Sequence, residues 1–242
     1  MADEPGVTIA ISYHNEDEET LSRAYVSAFA QSVRPREIII VDDGSDTPEI
    51  PDHVATMFPN AELPLTRVVH ITNRGLPAAR NTALMLCNTE GWIPLDADDW
   101  LAPEFIEKTW PLLRDGADVV LTGLQEHGPT RRGTYFPGYN KPFDQVTVDD
   151  LWKTNLFYYC SLFRTETLRS IGGYNPLMAG PWNQRGGHED HDVWIDLMTR
   201  GARFACCMDV LFNYSTANEN SMVHNVDYEA LMAEMKRHHR RA

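Results

Sequence analysis

Three short segments concentrate side chains able to hold cations, anions or protons. Asp96-Ala97-Asp98-Asp99 sets three carboxylates within four residues. Carboxylates that close repel one another, and a hard divalent cation between them relieves the repulsion. Asp42-Asp43-Gly44-Ser45 adds two more, in a composition where Asp also serves simply to form a turn. Arg74 and Arg80 flank a helix start in Asn73-Arg74-Gly75-Leu76-Pro77-Ala78-Ala79-Arg80-Asn81. Two arginines near a helix N-terminus suit an anion such as a diphosphate, although surface ion pairs are the plain alternative on an acidic chain.

Other features carry less chemistry. Glu16-Asp17-Glu18-Glu19 reads as the acidic first turn of a helix, complementing its dipole. His188-Glu189-Asp190-His191 resembles a metalloprotease box, but the second His comes one residue too early for H-E-x-x-H. Cys206-Cys207 sits in an apolar run and reads as core filling. The tail Lys236-Arg237-His238-His239-Arg240-Arg241 places cations at a helix C-terminus, where they complement the dipole; peripheral contact with an acidic membrane surface is the alternative.

The elements that position these residues are legible in the first hundred positions. Val7–Ser12, Glu37–Val41, Thr66–Ile71 and Trp92–Leu95 read as buried strands, and Thr20–Gln31 and Pro77–Leu86 as helices. Such alternation predicts a mostly parallel sheet covered on both faces. Ligands of such sheets bind outside the carboxyl ends of the strands, where all three acidic segments fall: His14-Asn15-Glu16, Asp42-Asp43 and Asp96-Ala97-Asp98-Asp99. Beyond residue 100 the spacing predicts a helix over Pro103–Arg114 and a strand over Asp118–Thr122. It then predicts a loop or hairpin excursion over His127–Pro142, a strand over Leu156–Phe163 and a short helix ending at Ser170. Asn175–His188, with two Pro and three Gly, reads as a mobile loop, expected to act as a lid. Asp190–Thr199 is helical, with Val193, Trp194, Leu197 and Met198 on its apolar face and Gly201 as a C-terminal cap. Phe204–Tyr214 holds one or two strands and Asp227–Arg240 a last helix.

Composition excludes several classes. The 242 residues carry 21 Lys and Arg against 35 Asp and Glu, a net charge of −14, so broad nucleic-acid binding is not expected. No run approaches the about eighteen apolar residues of a membrane span. The opening MADEPGVTIA lacks the basic region of a signal peptide, and four cysteines form no disulfide framework. A cytoplasmic location is the expectation.

In the segments VTIAISYHNEDEETL, EIIIVDDGSDT, NRGLPAARNTAL, WIPLDADDWL, SIGGYN and GGHEDHDVWIDLMTRG, the chain resembles the inverting nucleotide-sugar glycosyltransferases of family 2, in that family's order and over about residues 7 to 214. The resemblance implies the GT-A fold, a Rossmann-like nucleotide-diphospho-sugar transferase architecture with a mostly parallel central sheet flanked by helices. It implies one domain: a nucleotide-binding half to about residue 100, an acceptor half to about 225 and a C-terminal helix. It implies a UDP-sugar donor, with Mn²⁺ or Mg²⁺ as cofactor, and transfer of a hexosyl or N-acetylhexosaminyl group.

Residue by residue, Ser12, Tyr13 and Glu16 match positions that hold base and ribose, and Asp43 matches the carboxylate accepting from the base imide. Arg80, with Arg74 before it, matches the arginine that secures the nucleotide. Asp96 and Asp98 form the D-x-D motif, Asp98 being favoured as the direct metal ligand and Asp96 as the one nearer the ribose. Asp99 is expected to face the donor sugar. Glu189-Asp190 matches the family's E-D pair, whose Asp is the catalytic base. One stretch departs: Tyr214-Ser215-Thr216-Ala217-Asn218-Glu219-Asn220-Ser221 lacks the Arg and His of the family's Y-R-x-H-x-x-S, leaving His224 as the candidate substitute at the metal.

Three rival readings stay open at this point. An aspartyl phosphotransferase leaves Arg80 and Glu189-Asp190 unexplained. A nucleotidyltransferase wants a Gly-rich basic loop where SYHNEDEE is acidic. A degenerate nucleotide-sugar-binding module is opposed by the intact motifs. The acceptor, whether saccharide, lipid-linked or protein, is not encoded in any motif.

Overall fold

The computed structural model describes residues 6–129, 131–179, 188–216 and 228–239. Strands β1 (Val7–Tyr13), β2 (Glu37–Asp43), β3 (Leu65–Ile71) and β4 (Gly91–Asp96) pair in parallel in the order β3-β2-β1-β4. Every residue of β1 and β2 is buried, as expected of strands covered on both faces. Alternation along β1 divides the core. Val7, Ile9, Ile11 and Tyr13 face one hydrophobic cluster with helices α1 (Glu18–Phe29) and α4 (Phe105–Arg114). Ala10, with Ile39 and Val41 of β2, faces a second cluster with α3 (Leu76–Leu86) and α7 (Glu189–Thr199).

Local chemistry sets the helix starts. Asp17 caps α1, its side chain accepting from Thr20 N at 2.8 Å. Pro77 lies in the first turn of α3, where a missing N–H costs little. The short α2 (Glu49–Ala55), α5 (Val148–Leu151) and the hairpin strand β7 (Thr134–Tyr135) were not marked individually by the sequence. The last fulfils the expected excursion by pairing with β6 (Val119–His127).

The second half completes one sheet of order β3-β2-β1-β4-β8-β6-β9-β5, where β5 is Trp100–Leu101, β8 Leu162–Arg164 and β9 Phe204–Ser215. β8 is antiparallel to both β4 and β6, and β6 pairs in parallel with β9. The sheet is thus mixed, but β1–β4, β6 and β9 all point one way and end at one edge. The long strand expected over Leu156–Phe163 shrinks to its last residues. Upstream, backbone groups leave the ladder: Leu156 O accepts from Gly138 N, and Phe157 N donates to Asn155 Oδ1. Helix α6 (Thr165–Ser170) follows, ahead of α7 and the final α8 (Tyr228–His239). His239, in α8, reaches Asp192 of α7 at 2.9 Å. All four cysteines are free, and Cys206 and Cys207 are half-buried on β9 rather than enclosed in the core.

Candidate active site

Parallel register places the sequence motifs side by side at the carboxyl edge. Ser12 lies opposite Asp96, and Tyr13 opposite Asp42. Behind β2 the chain must turn sharply under the next loop. Gly44 (φ +70°) makes that turn, and a Cβ there would meet Asn73 N at 2.5 Å. Asp42 turns inward and accepts from Ser45 N at 2.9 Å and His70 Nδ1 at 2.8 Å. Its partners hold its carboxyl below the usual range against the opposing push of burial. Asp43 is 4% exposed and accepts from Arg74 N at 2.8 Å and Gly75 N at 2.7 Å, through one oxygen each. It thereby fixes the entry to α3, and the second lone pair of each oxygen is additional acceptor capacity. The Arg74 side chain is exposed beside it.

Glu16, Asp96 and Asp98 crowd the end of β1 and β4. Burial, with the charges of Asp98 and Asp96 adding to it, pushes Glu16 up to about 7. Burial and then Asp96 push Asp98 up to about 6. Asp98 is held by its backbone, where Arg23 Nη2 donates to Asp98 O at 2.8 Å while the guanidinium stacks 4.3 Å over the Trp100 ring. Among the described residues no three His, Cys, Asp or Glu side chains converge into a complete metal cage. A Mg²⁺-type ion bound to phosphates asks for less, one or two carboxylates with phosphate and water completing its shell. The crowded acids fit that demand. Tyr13 does not present its ring to this edge: the ring is core, and its hydroxyl donates to Glu16 O at 3.0 Å, so it positions Glu16.

Arg80 departs most from its expected place. It is 1% exposed, and its guanidinium forks between Glu189 Oε1 and Asp96 Oδ1, the latter at 2.7 Å. Tyr159 and Tyr174 cover it, their ring centroids 4.6 and 5.2 Å from Cζ. An arginine so enclosed and so paired acts on the edge through two carboxylates rather than by open contact. It locks the end of β4 to the start of α7. Glu189, 3% exposed, is likewise a strut and not an open carboxylate. Asp99 is corrected too. It is fully buried, accepting from Tyr159 Oη at 2.5 Å and Ser215 N at 2.7 Å, and so faces β9 instead of the edge.

Asp190 is half-buried beside this bridge and accepts from Asn155 Nδ2 at 3.0 Å. It does not cap α7; the N-cap is His188, in the left-handed region at φ +63°. His191 is buried, its Nε2 occupied in donating to Leu151 O at 2.6 Å, and burial lowers it to about 4. His224 lies outside the described residues, as does the 180–187 part of the expected lid. Asn155, Tyr159, Tyr174 and Arg23 escaped the sequence reading. Only Tyr174, within SIGGYN, stands inside one of the motifs.

The model of the family described as Glycosyl transferase family 2 matches residues 8–172. The chain is 28% identical over 212 residues to the amylovoran biosynthesis glycosyltransferase AmsE of Erwinia amylovora, covering 86% of this chain and 74% of that protein. Among solved structures, S. aureus TarS in complex with UDP-GlcNAc superposes with a TM-score of 0.71 at 19% identity, over 95% of this chain and 66% of that one. The mannosyltransferase PcManGT from Pyrobaculum calidifontis, in complex with GDP-Man and Mn²⁺, gives a TM-score of 0.66 at 22% identity, over 90% of this chain and 59% of that one. The chain therefore spans about two thirds or less of these solved chains, and at such identities they share its fold.

Proposed function

Because the chain belongs to glycosyl transferase family 2, has the GT-A fold and is a glycosyltransferase, we propose that it moves a sugar from a UDP-sugar to an acceptor hydroxyl with inversion, using Asp190 as the base. The observation that carries this reading is the Arg80 fork. One buried guanidinium spans Asp96 of the D-x-D segment and Glu189 of the E-D pair, so the two motif segments are set at a fixed spacing. Catalysis by positioning needs that rigidity.

In this reading Asp43 and the Ser12–Glu16 segment receive base and ribose, with exposed Arg74 beside them. Asp98, with Asp96 in the same D-x-D segment, would hold a Mn²⁺ or Mg²⁺ ion. The bound ion would neutralise charge on the departing diphosphate. Asp190 accepts the proton of the attacking hydroxyl, a weak nucleophile that needs a base within hydrogen-bond reach. Asn155 fixes the direction of that carboxylate. Attack opposite the diphosphate turns an α-linked donor into a β-linked product. The one-domain division into nucleotide-binding and acceptor halves belongs to the same reading.

Two measurements test the donor side. UDP should bind more tightly than GDP or ADP in the presence of Mn²⁺, by calorimetry. Asp43 keeps its two backbone donors with any nucleotide, so the preference reflects one added hydrogen bond to a charged group, about 1.5–3 kcal/mol. A purine preference overturns the uracil reading. The second concerns the crowded acids. Glu16 and Asp98 bind protons more readily when folded, so their contribution to stability falls as pH rises from about 4 to about 7. A cation that takes the protons' place restores stability mainly above that window. Adding Mn²⁺ to the UDP-bound protein should raise the melting temperature more at about pH 7.5 than at about pH 5. Asp98→Asn should remove most of that increment, and an undiminished increment in the variant excludes Asp98 as the ligand.

A further inference from the structure

An aromatic group at the same edge remains unused by the donor side. β6 runs in the direction of β4, so its end, carrying Glu126, arrives at the edge shared by the acidic motifs. The hairpin from β6 through β7 leads into the turn Gly138-Tyr139, where both residues adopt positive φ, +90° and +53°. The turn is fixed from several sides. A Cβ at 138 would meet Lys141 O at 2.3 Å, Tyr139 N donates to Phe136 O, and Gly138 N donates to Leu156 O. That last bond ties the turn to the segment bearing Asn155, which orients Asp190, and Tyr158. A tyrosine in the left-handed region is strained, and strain of this kind persists where the surroundings impose it.

The ring so placed is 48% exposed, the most open of the group. It is braced by Tyr135 and Tyr158, with centroids 5.8 and 5.6 Å away. Burial raises the pKa of its hydroxyl against a hydrogen bond with Tyr158, and the charges of Glu126 and Asp190 add to the rise. Glu126 pairs with Arg131 at 2.8 Å through Oε1, while Glu126 Oε2 is buried with no hydrogen-bond partner among the described residues, and the Tyr158 hydroxyl lies against that of Tyr139. An unmet carboxylate oxygen on the strand that leads to an open ring suits a ligand rich in hydroxyls.

Resting on the reading of the site as a transferase, we propose that Tyr139, braced by Tyr135 and Tyr158, is the platform on which the sugar ring of a saccharide acceptor stacks beside Asp190. The C–H face of a pyranose carries slight positive charge and is apolar, matching the negative face of an aromatic ring. Its rim hydroxyls would suit the exposed Tyr139 hydroxyl and the carboxylate of Glu126. Of the exposed apolar side chains, Met57, Phe58 and Leu65 flank β3 at the opposite end of the sheet, whereas Met208 and Val210 lie on β9 beside β6.

The test compares Tyr139→Leu, Tyr139→Phe and Tyr139→Trp with the wild type, using p-nitrophenyl glycosides of glucose, galactose and N-acetylglucosamine as acceptors and glycerol as a ring-free control. UDP release from a panel of UDP-sugars gives the acceptor KM, and ligand-observed NMR gives glycoside binding without turnover. Stacking predicts a KM about tenfold higher for Tyr139→Leu, which keeps apolar bulk but loses the π face, and little change for Phe or Trp. Glycoside contacts in the NMR should weaken in the same order. Equal KM and equal NMR contacts across the series overturn the platform, as does stimulation by glycerol with none by glycosides. If the wild type turns over no UDP-sugar at all, the donor reading fails instead, and the NMR series still decides the platform.

Discussion

Asp190→Asn is expected to lower transfer by roughly 10²–10⁴, the worth of a general base, while UDP binding and the fold are retained. The substitution is gentle structurally. Asp190 does not cap α7, whose N-cap is His188. Asn can still accept the Asn155 hydrogen bond through its carbonyl oxygen, so the side chain keeps its orientation. Loss of a negative charge from the first helical turn costs about 0.3–1 kcal/mol, far too little to unfold the protein. What the amide lacks is the capacity to take a proton from the acceptor hydroxyl. The measurement is steady-state transfer with a donor that the wild type uses, paired with UDP calorimetry on the variant. NMR of the wild-type product should show the inverted anomeric configuration. Near-normal transfer by the variant, or a product of retained configuration, removes Asp190 from the role.

The chemistry of the site was more legible in the sequence than its wiring. The ends of β1, β2 and β4 were readable because buried parallel strands are continuous apolar runs that stop at polar turns, as in EIIIVDD. Such runs announce both the sheet and the edge where it binds. Arg80 was legible as part of a motif but not in its orientation. Nothing local says that α3 turns residue 80 inward, because the carboxylates that hold it come from β4 and from a helix 109 residues later. Asp99 was misread for the same reason: in D-A-D-D its neighbours suggest an open acid, whereas its partners Tyr159 and Ser215 lie far along the chain. Asn155 and Tyr139 gave no signal at all. A single amide acquires meaning only when the fold brings it to Asp190, and an exposed tyrosine only when its turn is tied to the same segment. The short α2, α5 and β7 depend on tertiary packing rather than on a long period, and such elements are the hardest to read.

Arg80→Met should destabilise the protein by about 3–5 kcal/mol, a large part of the roughly 5–15 kcal/mol that holds an ordinary domain together. The wild-type guanidinium is fully enclosed, and the Glu189 carboxylate facing it is nearly so, at 1% and 4% side-chain exposure, while Asp96 retains 21%. Burial raises both carboxyls against the opposing pull of Arg80, so removing the cation leaves Glu189 buried with no countercharge and favours its protonation or local opening. Lys cannot substitute fully, because a point charge lacks the planar fork that reaches two carboxylates at once. A double variant separates structure from function. Arg80→Met with Glu189→Gln removes the stranded charge and should recover much of the lost stability in urea denaturation. It should not recover transfer, because β4 and α7 would no longer be tied and Asp190 would lose its fixed distance from the donor segment. A double variant that regains both stability and transfer would show that the fork serves folding alone; unaltered stability in Arg80→Met would remove the bridge altogether.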